Sequence, residues 1–416
     1  MANDWFITMG FTIFLVALPP VASAQSNEPN AAPLYRRASS LLTQLPADFT
    51  SRATDVIDNG WSGNHADLSE LLAKNQEAIA EFKNAAQLSA CDFTLGVPEK
   101  KDASTQAPQY VDEIKVATLV MLEGRWLEKE GQLDLALENY LSVLRFAHHL
   151  GQQDDFIVFH KLLQVIVQRL ALVPLEQDLN QGGLDTRLCR HLLDILVSLR
   201  RQEIGLEAAF EEEKEVERND LRMVEVEAKQ EGSYNEAFFK EMYIEFDRLQ
   251  DERFQYLIDA FKKNQPEAFE VYQERLRKET KPLPALIWKL FTKESPSVTA
   301  KTLVALASPN YRRTINRYYV SLSEFDCLMT ATAIRRYQLE NDKLPDGLSV
   351  LVPTYLPKLP EDPFDGFKPL KYEKHDKGWV IYSVGPDRKD DHGRLEYEEA
   401  SPDQTGDVVI SVISPS

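Results

Sequence analysis

Seven histidines, three cysteines and 66 acidic residues are the raw material for chemistry in this 416-residue chain. A histidine works as base, acid or ligand only when a second group orients it, so neighbours matter more than numbers. His148 and His149 adjoin at the end of an apolar helical run, where an imidazolium would complement the helix dipole. His65 stands beside Asp67 and Glu70 and reads as a capping or surface residue, while His160 and His191 fall within helical stretches and read as packed side chains. Cys91, Cys189 and Cys327 are far apart with no CxxC spacing, which excludes a zinc ribbon and a paired redox site. All three are expected to be buried apolar side chains. There is no HExxH, GxSxG, phosphate-binding loop or dinucleotide fingerprint. Carboxylate pairs abound, but among so many acids adjacency in sequence selects none of them as an acid–base pair.

Composition narrows the partners. Hydrophobic residues at 43% and charged residues at 27% are those of an ordinary globular protein. The formal charge of −19 repels phosphate backbones and anionic headgroups, so neither nucleic acid nor a membrane surface is an expected partner. Such a surface keeps the chain soluble and suits a basic protein partner or divalent cations. The length exceeds one ordinary core and predicts a multi-domain chain.

The elements that would position any site begin after an export signal. Trp5 to Leu18 is almost wholly apolar, about 14 residues, too short to cross a bilayer comfortably as a helix of ~20 residues. Ala22-Ser23-Ala24 then supplies the small-x-small pattern of a leader cleavage site. Residues 1–24 are therefore expected to be removed, giving an exported, periplasmic or extracellular protein with no stable membrane span. The n-region carries no Lys or Arg. Gly10-Phe11-Thr12-Ile13 also resembles the cleavage site of type IV prepilins. Met9, Leu15 and the early Pro19-Pro20 depart from that pattern, which needs Glu near the start of a long unbroken helix.

From residue 25 to about 300 the pattern is helical. Asp67 to Ala86 carries Leu68, Leu71, Leu72, Ile79 and Phe82 at helical spacing, with Asp67 as the expected N-cap. Val116 to Gly151 matches one unit of the 34-residue tetratricopeptide pattern: Gly131 at the inter-helix turn, with Gly124, Ala136 and Tyr140 at the small, small and aromatic positions. No second copy is found at that period, so the expectation is a helical hairpin with tetratricopeptide-like packing rather than an array. Phe156 to Val173 reads as an apolar helix that Pro174 ends, and Leu184 to Met223 as another. The mixed charges of Glu211 to Asp220 predict a solvated helical arm across 207–262, turning at Gly232-Ser233 and returning through Tyr243 to Phe261. Lys281-Pro282-Leu283-Pro284 is the candidate joint between this helical region and the C-terminal part of the chain.

Residues 311–414 change character. Tyr311 to Leu339 reads as one helix, followed by a proline-rich loop and β candidates at Leu370–Tyr372, Trp379–Val384 and Val408–Ile413. A helix on a small antiparallel sheet is an α+β unit of normal domain size. The ordered set Ala333-Ile334-Arg335-Arg336-Tyr337-Gln338-Leu339-Glu340-Asn341, Leu344-Pro345, Leu356 to Gly366, Tyr372, Tyr382-Ser383-Val384-Gly385-Pro386-Asp387 and Gly406-Asp407 resembles the globular part of the major pseudopilin of type II secretion systems. The resemblance covers about a quarter of the chain. It implies a calcium ion in the last loop, held by oxygen ligands. Asp387 matches the family's aspartate directly, Asp407 sits at its late aspartate, and Asp390 or Asp391 would add a carboxylate. The metal set expected is Asp387, Asp391 and Asp407. Arg388, Lys389 and His392, with an insertion to Ser401, depart from the family and are poor neighbours for a cation.

Two functions fit these observations. One is a non-catalytic binding or scaffold protein of the cell envelope, with a helical region and a pseudopilin-like end module. The other is an envelope enzyme with a carboxylate-based site among the helices. Convergent, perturbed titratable groups lining a pocket in the helical region would distinguish them.

Overall fold

The computed structural model describes residues 29–63, 65–93, 110–153, 157–230, 234–262, 271–272, 274–275, 278, 295–306, 311–375, 378–397 and 405–413. The expected leader, Gly232-Ser233 and the expected joint at 281–284 lie outside the described residues. The chain is mostly helical, with a small antiparallel sheet near its C-terminus. The helices are α1 (Ala32–Ser40), α2 (Phe49–Asn59), α3 (Ala66–Lys74), α4 (Gln76–Ala85), α5 (Val111–Lys129), α6 (Leu133–Gly151), α7 (Ile157–Gln181), α8 (Thr186–Gln202), α9 (Leu206–Gln230), α10 (Glu236–Lys262), α11 (Pro296–Leu306) and α12 (Tyr311–Asn341).

Four expectations change in detail. The stretch from Asp67 to Ala86 is two helices, α3 and α4, broken at Asn75. The buried Asn75 amide accepts from the Thr43 N–H at 2.9 Å and donates to Leu71 O at 2.9 Å, so it holds the break rather than extending a helix. Asp67 lies inside α3's first turn and pairs with Arg52 at 2.5 Å; His65 occupies the cap position. Helix α7 continues through Pro174 to Gln181. A mid-helix proline costs ~3 kcal/mol, and the packing of α7 between α6 and α12 outweighs it. Helix α8 stops at Gln202, because Glu203 turns extended (φ −62°, ψ 122°) before α9 begins.

The α5–α6 hairpin forms as its glycines predict. Gly131 takes φ 76°, with its N–H on Glu128 O at 2.9 Å and the Gln132 N–H on Leu127 O at 2.8 Å, the paired closure of a Schellman turn. At Gly124 a Cβ would lie 2.4 Å from Tyr140 Cε1, so only glycine lets the buried ring cross between the helices. Ahead of the hairpin, Tyr35 of α1 packs on Phe82 and Phe146 with ring centroids at 5.0 and 4.7 Å, clamping α1 and α4 to α6.

At the other end β1 (Glu361–Asp362) pairs with β2 (Lys368–Pro369), and β3 (Lys371–His375), β4 (Gly378–Ser383) and β5 (Val408–Ile413) form a three-stranded sheet in that order. The antiparallel register sets Tyr372 opposite Ile381 and Ile381 opposite Ile410. Trp379, Ile381, Ile410 and Val412 bury against Cys327, Leu328 and Ala331 of α12.

The buried apolar side chains fall into two clusters. The first joins α1–α8, the second half of α12 from Phe325 to Ile334, and most of the sheet's inner face. The second joins α9, α10, α11, Val158 of α7, the first half of α12 (Ile315, Tyr318, Tyr319, Val320), and Phe364, Val384 and Val408. The boundary expected near residue 300 therefore does not coincide with the division between clusters. Both α7 and α12 run from one cluster into the other.

Candidate functional site

Between the two clusters lies a seam of buried polar groups, and the sequence carries its trace. Lys161, Gln164 and Gln168 recur at helical spacing along the N-terminal half of α7, so they line one face. All three are buried. That regular polar stripe is the one local signal of the seam, and apolar periodicity alone passes over it.

The seam centres on Glu203, in the break between α8 and α9. Lys161 Nζ donates to Glu203 Oε1 at 2.8 Å, and the two side chains are 1% and 8% exposed. Gln164 Nε2 donates to Glu203 Oε2 at 2.8 Å, and Tyr318 Oη of α12 donates to Oε1 at 3.1 Å. Lys161 also donates to Gln164 Oε1 at 3.1 Å. Burial alone would push the Glu203 carboxyl up, but Lys161, Gln164 and nearby His148 outweigh it and hold the group below the usual carboxylate range. Burial pushes Lys161 down, and Glu203 pulls it back. The two form an ion pair in which each charge depends on the other. Further along α12, Asp326 accepts from Arg200 of α8 through both oxygens, at 2.8 and 3.2 Å. Burial raises the Asp326 carboxyl, opposed by that guanidinium. Gln168 donates to the Ser321 carbonyl and hydroxyl at 3.1 and 3.0 Å.

His148 and His149 are not surface imidazolium ions at a helix end. Both are buried on α6. The Nδ1 of His148 lies 3.9 Å from Glu203 Oε2, and its Nε2 meets Gln152 at 2.6 Å. His149 Nδ1 meets the Tyr35 hydroxyl at 3.0 Å. Burial pushes His148 down and His149 to about 4, the latter helped by repulsion from His148. Desolvation outweighs the opposing pull of Glu203 on His148 and of the Leu88 hydrogen bond on His149, so the His149 ring is neutral near pH 7. His160 is buried against the Tyr110 hydroxyl at 3.0 Å, and His191 pairs with Glu138 at 2.6 Å, as packed and partly exposed residues. Cys189 and Cys327 are buried, but Cys91 is only half-buried. It sits in the last described stretch before residue 94, where its carbonyl accepts from Gln153 at 3.0 Å.

The seam borders a small, partly open pocket of about 20 Å³ lined by His148, Gln164, Gln168, Arg200, Glu203 and Tyr318. That is room for roughly one water. Two carboxyls elsewhere on α7 are lifted toward neutrality: Asp178 to about 8 by burial and Glu128, and Glu176 to about 7 by burial with Glu396 and Glu324. Being two residues apart on a helix, they point in different directions, Asp178 toward Glu128 and Arg125 of α5, Glu176 toward α12 and the C-terminal loop.

The C-terminal loop holds Asp387 and Asp407 through backbone N–H groups. Gly385 and Gly406 touch so closely that a Cβ on Gly385 would lie 2.0 Å from Gly406 O. Across this contact Asp387 Oδ2 accepts from the Gly406 N–H at 3.4 Å. Asp407 is fully buried and accepts from the N–H groups of Asp391 at 3.4 Å and Gly393 at 2.7 Å. Burial drives Asp407 up to about 6, with the two N–H groups opposing. Asp390 faces the other way, toward Tyr382 at 3.0 Å and Lys371 at 3.3 Å. Among the described residues no three His, Cys, Asp or Glu side chains converge as a metal-binding set. A second buried carboxylate, Asp362, has no counterpart among the expected site residues. It accepts from Ser383 Oγ at 2.7 Å and from the Phe364 and Val384 N–H groups at 2.9 Å, pinning the β1 turn to β4. Its signal in the sequence is the Asp-Pro-Phe-Asp-Gly turn.

Comparison with family models, with curated proteins and with solved structures finds no match to this chain.

The depressed His149 gives a pH dependence of known sign. A histidine held at about 4 when folded, against ~6.5 unfolded, contributes stability above pH 6.5 that is lost as pH falls toward 4. Its full size is on the order of 3 kcal/mol. Urea unfolding of wild type and His149→Leu between pH 4 and 7 should show the wild type gaining on the variant with rising pH. A difference that stays flat would contradict a buried neutral ring.

Proposed function

We propose that the chain is an exported, non-catalytic binding or scaffold protein of the cell envelope. The leader pattern and the acidic composition support export and a protein partner. The observation that carries the non-catalytic reading is the seam itself. The densest convergence of buried charge described is occupied by its own partners and leaves space for about one water. The α5–α6 hairpin, closed at Gly131 with Tyr140 over Gly124, is consistent with tetratricopeptide-like packing. A pseudopilin-like end module at residues 311–414 is part of the proposal and rests on the ordered resemblance in the sequence.

A second reading, an envelope enzyme using carboxylates, is favoured by Asp178 and Glu176, whose raised affinity for protons suits a general acid. Their divergence on α7 weighs against a concerted pair. Stoichiometric capture from an envelope fraction, using the chain from Gln25 onward, separates the two. Retention of the same partner by wild type, Asp178→Asn and Glu176→Gln is expected. Turnover of a small molecule that either substitution abolishes would overturn the scaffold reading.

Calcium belongs to the same proposal. The residues that would hold it are Asp387, Asp391 and Asp407, and a buried carboxylate answered by two N–H groups, as Asp407 is, would gain from a cation. At a calcium concentration a hundred times its Kd, ligation to the folded state alone adds about 2.7 kcal/mol. Thermal unfolding should therefore shift upward in millimolar calcium against chelator, and Asp387→Ala should remove the shift. A midpoint that ignores both calcium and chelator would remove the metal from the account.

A further inference from the structure

Helices α9–α11 supply most of the second apolar cluster, which they share with Val158 of α7, the first half of α12, Phe364, Val384 and Val408. Phe210 of α9 stacks on Phe254 of α10 with ring centroids at 4.9 Å. The fully buried Arg253 of α10 reaches Val304 O of α11 at 3.3 Å, and Ser297 of α11 meets Glu245 of α10 at 3.3 Å. Among the described elements, α9 meets the remainder of the chain chiefly along α7. Its chain entry is the extended Glu203-Ile204-Gly205 segment between α8 and α9.

Glu203 is therefore both the start of the unit and the residue the body grips hardest. Among the described residues, the partners of its carboxylate all belong to the body: Lys161 and Gln164 on α7, and Tyr318 on α12, with His148 of α6 at 3.9 Å. Tyr318 also reaches the Ile204 carbonyl at 3.4 Å, the next residue of the same segment. On the body side the grip needs close approach: a Cβ on Gly151 would lie 1.8 Å from Gln164 Oε1, so the end of α6 is shaped around that side chain.

We propose that residues 203–205 are a hinge, that the Lys161–Glu203 ion pair is its latch, and that α9–α11 opens from the body as one unit when the latch is broken. Contiguous units of a fold can open at a free energy below that of global unfolding. A buried ion pair suits a latch because it is all-or-none: removing one partner leaves the other charge uncompensated in the interior. The inference does not depend on the binding-protein reading above.

Amide hydrogen exchange of the full chain, followed by mass spectrometry, tests it in two arms. In wild type under increasing sub-denaturing urea, amides of α9, α10 and α11 should converge on one opening rate while those of α5 and α6 stay protected. In Glu203→Gln, exchange in α9–α11 should rise at least tenfold with α5 and α6 unchanged. Loss of protection in all these helices together, or no change in α9–α11 on substitution, would overturn the proposal. The wild-type arm stands even if the variant fails to fold.

Discussion

A lysine and a glutamate facing one another out of water constrain most of this fold. Charges so placed are stable only when the geometry is good and the remaining lone pairs and protons are used. The Lys161–Glu203 pair meets both conditions, because Gln164 and Tyr318 complete the carboxylate and Gln164 also receives the ammonium. Meeting them requires α6, α7, α12 and the α8–α9 break to arrive at one point. The apolar clusters on either side supply the driving force for burial, which has no direction. The seam supplies the direction: it sets the register of α12 against α7 and the place where α8 must stop.

The same constraint accounts for features that local propensity does not. Helix α7 passes through Pro174 because the polar stripe before that residue and the buried Leu175 and Leu179 after it are all committed to neighbours. Glu203 leaves helical geometry with its carboxylate already bound, so the break after α8 is set by a tertiary contact rather than by a strong local stop signal. Close approach at two glycines makes the packing achievable. Gly124 admits the Tyr140 ring and Gly151 admits the Gln164 amide, one serving the hairpin and the other the seam.

Much of the architecture is legible in the sequence where apolar periodicity or turn chemistry runs unopposed. The α5–α6 hairpin with its Gly131 turn, the long α12 and the strands at 378–383 and 408–413 all arise from such local signals. The places where structure and local signal part have a common cause. Local chemistry alone would end α7 at its proline, leave two histidines at a solvated terminus, and run one helix from Leu184 to Met223. In each case burial or a partner distant in sequence reverses the local preference. The candidate site is the least legible part. Its members come from residues 148–326, and spacing along the chain cannot reveal that Glu203 and Tyr318 meet. Only the Lys161, Gln164, Gln168 stripe announces that something polar is buried there. In the C-terminal loop the aspartates are visible in the sequence, while the N–H groups that occupy the Asp387 and Asp407 carboxylates emerge only from the folded backbone.

The central claim is that the buried pair is a mutually dependent unit on which the meeting of the two apolar clusters rests. A double-mutant cycle on stability measures it most directly. Lys161→Met and Glu203→Leu should each cost about 3–5 kcal/mol by leaving the other charge buried and alone, and the double variant should cost less than either single change. Costs that simply add, or single substitutions that pass unnoticed, would mean that the seam is incidental and that the clusters meet without it.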